Sequence, residues 1–292
     1  MRSEDDDMGR GEDDDMGSED DEWGARITTL FFPRIHSRRA PARGVQRPPR
    51  QVPANPPHLD PYLSVDLSPE IHPLMPDQSR FVEPFPLRIE QVTLSGQRVR
   101  LVPMQPDHAE ALWNAANFPA IWELTGTSPM RSLDDIRRYM NTALTERDAG
   151  TAVPFITTDA ITGEIIGSTR FANISAADRR VEIGWTWLRP DRHRTAANGE
   201  AKALMLQQAF DRWGALRVEI KTDVRNARSR AAIERLGASF EGIHRQHMIV
   251  RDGRVRDTVY YSVLDTEWRD PSHRVHQVAL TYGITPAPAF TR

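Results

Sequence analysis

Thirteen of the chain's 22 prolines fall between residues 33 and 86, which closes that stretch to helix and to interior sheet. Proline fixes φ and lacks the N–H that both structures need. At this density the backbone is expected to run as an extended, polyproline-like linker. Ahead of it lies SEDDDMGRGEDDDMGSEDDEWG, a degenerate acidic repeat. Its carboxylates repel one another and leave little to bury, so disorder is expected, and the period is too short for a solenoid. A folded domain in this 292-residue chain therefore starts near residue 89. The expected organisation is a disordered acidic then Pro/Arg-rich tail at 1–88, a globular domain at 89–270 and a C-terminal tail at 271–292.

Composition removes several function classes. The chain has no cysteine, which excludes disulfides, cysteine-based zinc sites and thiol nucleophiles. A formal net charge of −3 gives no overall basic field for nucleic acid. The basic SRRAPARGVQRPPR stretch lacks the interleaved aromatics of a single-strand binder. No apolar run is long enough for a membrane span, and the acidic start does not read as a secretory signal. A cytoplasmic protein is expected. His244 and His247, an odd number apart on a strand, are expected on opposite faces. His273 and His276 lack an obvious third ligand, so no metal site is expected.

From Ile89 onward apolar residues recur at structured periods. RVRLVPM (98–104) alternates as a strand, and PDHAEALWNAAN (106–117) has a first-turn proline and helical spacing. SLDDIRRYMNTALTERDAG (132–150) opens on Ser132 and Asp135 in capping-box spacing and closes on Gly150. Three strand-like runs follow at 152–158, 164–174 and 180–188. Residues 198–214 then place Ala203, Leu206, Ala209, Phe210 and Trp213 on one helical face. A strand (217–224), a capped helix (226–237) and a hairpin around RDGR (240–250 and 255–265) complete the order β α α β β β α β α β β. That order predicts a mixed α/β fold, one mostly antiparallel twisted sheet with helices on both faces.

Three stretches in sequence carry a family resemblance: EIGWTWLRPDRHRTAANGEAKALMLQQAF (182–210), RVEIKTDVRNARSRAAIERLGASFEG (217–242) and HMIVRDGRVRDTVYYSVLDTEW (247–268). Together they resemble the GNAT superfamily of acetyl-coenzyme A-dependent N-acetyltransferases, in its branch of ribosomal-protein N-terminal acetyltransferase-like enzymes. The resemblance spans roughly residues 90–270. It implies direct transfer from acetyl-coenzyme A to an amine-bearing acceptor, a protein or peptide N-terminus or a small amino compound. The rival reading is a catalytically silent acetyl-coenzyme A-binding module whose tails recruit partners.

The loop ahead of the 198–214 helix is the expected pyrophosphate cradle, because a helix N-terminus presents free N–H groups and a positive dipole end. The family pattern there is Gln/Arg-x-x-Gly-x-Gly/Ala. His193 takes the Gln/Arg place, Ala196 the first glycine and Asn198 the second small residue. Arg194, Thr195, Ala197 and Gly199 complete the cradle. A plain cap with Asn198 as N-cap is the alternative. Ala196 matters only if its φ is positive, where alanine is strained. The pantetheine arm is expected to pair with the backbone of the 182–189 strand, Trp187 and Leu188 included. The rings of Trp185 and Trp187, on one side, read as packing first. Asn226 is implied as a coenzyme contact and is equally a good N-cap.

The acid tyrosine of many superfamily members is Ile233 here. The branch resemblance puts a serine acid at Ser229, which is equally a helix hydroxyl bonded to backbone. Glu182 and His247 are the two candidate bases, a near-neutral pKa being what the role needs. The acceptor groove is expected between the 118–131 connection, with Trp122, Glu123 and Arg131, and the hairpin tip at 251–254. Trp122 as a loop anchor is the alternative there.

Overall fold

The computed structural model describes residues 89–250 and 253–288. The tail expected at 1–88 lies outside the described residues, as do Arg251 and Asp252 of the hairpin tip. The strands are β1 (Leu94–Ser95), β2 (Val99–Pro103), β3 (Val153–Asp159), β4 (Ile165–Ser175), β5 (Arg180–Leu188), β6 (Arg217–Asp223), β7 (Ser239–Ile249) and β8 (Val255–Leu264). They form one eight-stranded sheet in the order β1-β2-β3-β4-β5-β6-β8-β7. Every neighbouring pair is antiparallel except β5 and β6. The helices are α1 (Ala109–Ala116), α2 (Leu133–Asp148), α3 (Ala197–Gln207), α4 (Ala227–Leu236), α5 (Asp265–Arg269) and α6 (Arg274–Thr281). The mixed α/β sheet expected from the sequence is present. Among the described residues no helix is long and apolar enough to cross a membrane.

Strand alternation sorts the core into two clusters. One face carries α1 and α2, where Leu112, Ile136 and Met140 pack with Ile156 and Trp187. The other carries α3, α4 and α6, with Phe155, Phe171 and Val218 beneath Leu206, Ile233 and Val275. Local signals set the helix ends. Ser132 Oγ accepts from the Asp135 N–H at 3.2 Å, and Asp135 Oδ2 accepts from the Arg131 N–H at 2.8 Å. Asn226 Oδ1 accepts from the Ser229 N–H at 3.0 Å, and α4 ends at Gly237 with φ 97°. The N-caps satisfy N–H donors that the helix leaves free, and the glycine cap satisfies its last carbonyls.

The helix expected at 198–214 starts at Ala197, and from Gln208 to Trp213 it continues as a π turn. It is buried almost all round, so Ala201, Lys202, Leu204 and Met205 are covered along with the expected face. Its start is tied to the sheet by Glu200, whose side chain is 0% exposed. That carboxylate accepts three backbone N–H groups of the β1–β2 turn: Gln97 at 3.0 Å, Arg98 at 2.8 Å and Val99 at 2.9 Å.

The tail was expected at 271–292; its described part, 271–288, includes α6. Val275 and Ala279, four apart on one face, are buried against the core. About two turns of apolar spacing amid His, Arg and Gln gave too weak a period to read. Just past α6, Tyr282 lies so close to α3 that a Cβ at Gly199 would sit 2.0 Å from its hydroxyl. Gly199→Ala is therefore expected to cost about 1–3 kcal/mol by overpacking. A double-mutant cycle in urea checks it, because Tyr282→Ala should make the alanine at 199 nearly neutral.

Candidate active site

The ladder between β5 and β6 holds for three pairs only: Arg180 with Arg217, Val181 with Val218 and Glu182 with Glu219. From Ile183 onward β5 leaves β6, which continues paired to β8 as far as Asp223. A bulge on β5 drives the departure. Its register against β4 shifts between Ser168 and Arg170, and Trp185 takes a left-handed φ of 50°. Bulges add twist and re-aim side chains. The result is a cleft of about 1330 Å³ that opens between the strands and runs from the 118–131 loop to the first turns of α3 and α4.

At one end of the cleft lies the loop 193–199. Ala196 has φ −72° and serves as the N-cap of α3, so alanine is unstrained where the family pattern has glycine. The left-handed residue is Arg194, with φ 61°. Asn198 is the second residue of α3, not its cap. Thr195 Oγ1 accepts from the Ala197 N–H at 3.2 Å, whereas the N–H groups of Asn198 and Gly199 have no partner among the described residues. They stand at the positive end of the helix dipole. His193 braces the loop: its Nε2 donates to the Leu188 carbonyl at 2.8 Å, and its Nδ1 accepts from Arg228 at 3.0 Å. Burial, offset in part by that carbonyl, holds the imidazole below its ordinary value. Arg194, Arg225 and Arg228 stand on the surrounding cleft wall, with Arg274 and Tyr282 brought by α6. Ala196→Gly is expected to leave ligand affinity unchanged and to lower stability by up to about 1 kcal/mol through added chain entropy. Calorimetry and thermal unfolding of the variant check both.

At the other end a polar row crosses the floor. Glu182, 4% exposed, lies on β5 with Oε2 2.6 Å from Lys221 Nζ on β6. A second bulge, on β4, gives Asn173 a φ of 47° and brings its side-chain amide to the same oxygen. Oε1 has no partner among the described residues, and a Cβ at Gly184 would come within 3.0 Å of it. Lys221 Nζ also sits 5.1 Å from the Tyr260 ring centroid. His247 lines the cleft beyond, with Nδ1 3.0 Å from Thr258 Oγ1 and Nε2 3.2 Å from the Tyr260 hydroxyl. Burial first, then Lys221, keeps this imidazole below its ordinary value, so the neutral form is favoured at pH 7.

The alternation expected to separate His244 from His247 fails. Their ring centroids are 5.5 Å apart, and both rings meet Tyr260. The cause is a third bulge: the β7–β8 register shifts between His244 and Met248, with Gln246 at φ 50° and its N–H bonded to Asp257. β7 runs four residues there against two of β8, so the alternation is lost and both rings reach Tyr260. Among the described residues no group of three His, Asp or Glu side chains is placed to hold a metal ion.

Of the remaining expected residues, Ser229, Asn226, Trp187, Leu188 and Glu123 line the cleft. Trp187 is also core, 5.3 Å from Trp122 between ring centroids. Trp122 is 1% exposed, donates to the Ala116 carbonyl and anchors its loop from inside. Arg131 is exposed at the start of α2, away from the cleft wall. Sequence reasoning passed over Arg170, Lys221 and Lys202. Arg170 is 2% exposed, pairs with Glu146 at 2.7 Å and holds the Trp185 ring at 4.7 Å. Lys202 reaches into the cleft from α3, and its Nζ donates to Thr186 Oγ1 at 2.6 Å.

The model of the acetyltransferase (GNAT) domain matches residues 98–239. A GCN5-related N-acetyltransferase from Brucella melitensis superposes with a TM-score of 0.61 at 30% identity, over 68% of this chain and 87% of that one. The chain belongs to the GNAT acetyltransferase family. Among curated relatives, YdaF of Bacillus subtilis, named for a ribosomal N-acetyltransferase, is 33% identical over 106 residues. That match covers 36% of this chain and 57% of YdaF, so the chain spans little more than half of that relative. Mycobacterium smegmatis RimJ, solved in complex with CoA-disulfide, shares the GNAT fold with a TM-score of 0.57 at 21% identity, over 68% of this chain and 98% of RimJ. The family expected from the three quoted stretches is the family found.

Proposed function

We propose that the protein is an acetyl-coenzyme A-dependent N-acetyltransferase that acts directly on a primary amine, at a protein or peptide N-terminus or on a small amino compound. The observation that carries this reading is the open β5 edge from Ile183 onward, leading to a helix start with two N–H groups unpartnered among the described residues. Such an edge accepts an extended amide-bearing chain as an added strand. Coenzyme A has that shape: a pantetheine arm ending in a pyrophosphate. The residues present fit it. The Asn198 and Gly199 amides and the α3 dipole would take the pyrophosphate. Arg194, Arg225 and Arg228 would add positive charge, and Ser229 and Asn226 would stand beside the arm. RimJ's complex with a coenzyme A derivative supports the same assignment.

Acetyl-coenzyme A supplies the acetyl group as a thioester. The chain's part is to hold the amine and take its proton. Glu182 is the base we assign, because Lys221 and Asn173 fix one carboxylate oxygen and leave the other facing the cleft over Gly184. A glycine there leaves room for an amine or a relaying water. His247 is the second candidate; Thr258 and Tyr260 stand at its two ring nitrogens, which leaves it less free to accept. The amine would enter between the 118–131 loop and the Trp185 ring. YdaF's name supports a ribosomal acceptor, and a cytoplasmic location goes with it.

The silent module keeps one supporting observation: Ile233, 6% exposed, where many superfamily members have the acid tyrosine. Thiol release with purified protein, acetyl-coenzyme A and a panel of peptide N-termini and small amines tests the proposal. Turnover on any of these amines is expected. Coenzyme A binding without turnover would select the silent module, and absence of binding by calorimetry would reject both.

A further inference from the structure

Thioester aminolysis ends with a sulfur that needs a proton, and Ile233 cannot give one. We propose that Lys202 is the proton donor to the departing coenzyme A thiolate, an assignment that rests on the acetyl-transfer reading above. Lys202 enters the cleft from α3, on the face opposite α1 and α2, and is 7% exposed. Its ammonium carries three donors, and Thr186 Oγ1 is the one partner the described residues supply. Thr186 belongs to the β5 bulge and is itself fixed by Thr169 Oγ1 at 2.7 Å. The ammonium is therefore held beside the stretch of β5 that β6 no longer pairs, where the reacting end of the donor would come closest to Glu182. A buried ammonium short of acceptors is costly. A sulfur arriving in the cleft supplies the missing acceptor.

The balance closes on residues of this chain. The amine nitrogen bonds to the thioester carbon and loses a proton to Glu182. The C–S bond then breaks, its electron pair stays on sulfur, and an N–H of Lys202 passes its proton to that sulfur. Neutral Lys202 and protonated Glu182 remain; Glu182 is the charged group that bears on Lys202 across the gap. Return of the proton from Glu182 to Lys202, directly or by water, resets both. Burial brings the Lys202 ammonium down into the range of a thiol, so the proton can pass between nitrogen and sulfur.

The test titrates coenzyme A bound to the wild type, Lys202→Met, Lys202→Gln and Ser229→Ala, following thiolate absorbance against pH. In the wild type the bound thiol is expected to ionise at least about one pH unit below free coenzyme A, because the thiolate pairs with the ammonium. Both Lys202 variants should lose that shift while binding coenzyme A within tenfold of wild type, and Ser229→Ala should keep it. In turnover, kcat of the Lys202 variants should fall 100-fold or more, with KM for acetyl-coenzyme A changed less than tenfold. Methionine matches lysine in length and removes a buried charge, so folding is retained, and glutamine gives an independent second variant. A bound thiol that titrates alike in wild type and Lys202→Met, or a shift lost in Ser229→Ala instead, would overturn the proposal. Wild-type protein that fails to bind coenzyme A would overturn the function reading itself.

Discussion

Glu200→Ala is expected to lower the free energy of unfolding by about 4 kcal/mol. The carboxylate is fully buried and is the acceptor for three backbone N–H groups at 2.8–3.0 Å. Deleting it strands those donors in a site that Gly96 already packs closely. Each buried unsatisfied donor costs about 1–3 kcal/mol, reduced where water enters the gap. Glu200→Gln keeps one acceptor oxygen and should lose about half as much. Urea unfolding followed by circular dichroism measures both, and a loss below about 1 kcal/mol for alanine would refute the account. Coenzyme A affinity should fall too, even where the variant is folded, because the same side chain fixes the start of α3 against the β1–β2 turn.

Glu182→Gln should lower kcat by about 10²–10⁴-fold, the usual worth of a positioned base. The amide keeps the shape of the side chain and an oxygen for Lys221, so coenzyme A affinity and stability should change little. His247→Ala should lower kcat less than tenfold. The separation matters because both residues lie on one polar row and both line the cleft. Rapid-mixing thiol release on the best amine of the panel decides between them. If the histidine variant loses the larger factor, Glu182 only orders Lys221 and the base is His247.

The parts legible in the sequence were those that local chemistry determines. Ser132, Asn226 and Gly237 mark helix ends because a cap is a contact between residues three or four apart. The strand, loop and helix from 182 to 210 follow from periods of two and 3.6. The departures come from bulges, which break the period by one or two residues and leave little trace in composition. Trp185, Asn173 and Gln246 take left-handed φ values without being glycine, and each re-aims a residue of the site. His244 and His247 share a face for this reason alone. Ala196 taught the reverse: the missing glycine of the family pattern has no consequence, because its φ is negative and Arg194 carries the turn. Lys202, Lys221 and Arg170 read as ordinary surface charges, since their burial is decided by strands and helices far away in the chain.

The short β5–β6 ladder also has a mechanical meaning. Among the described residues three residue pairs make up the ladder that joins β1–β5 to β6, β8 and β7, beside one backbone bond from Leu216 to Arg179 and the Glu182–Lys221 ion pair. The two half-sheets otherwise meet through side chains of α3, α4 and α6. A ligand chain laid along the open edge would act as a seam between them, adding main-chain bonds where the sheet has none. Amide hydrogen exchange on the facing stretches of β5 and β6 should then slow together when the cleft is filled. The donor would tighten the scaffold that positions the acceptor, and so set the order in which the two arrive.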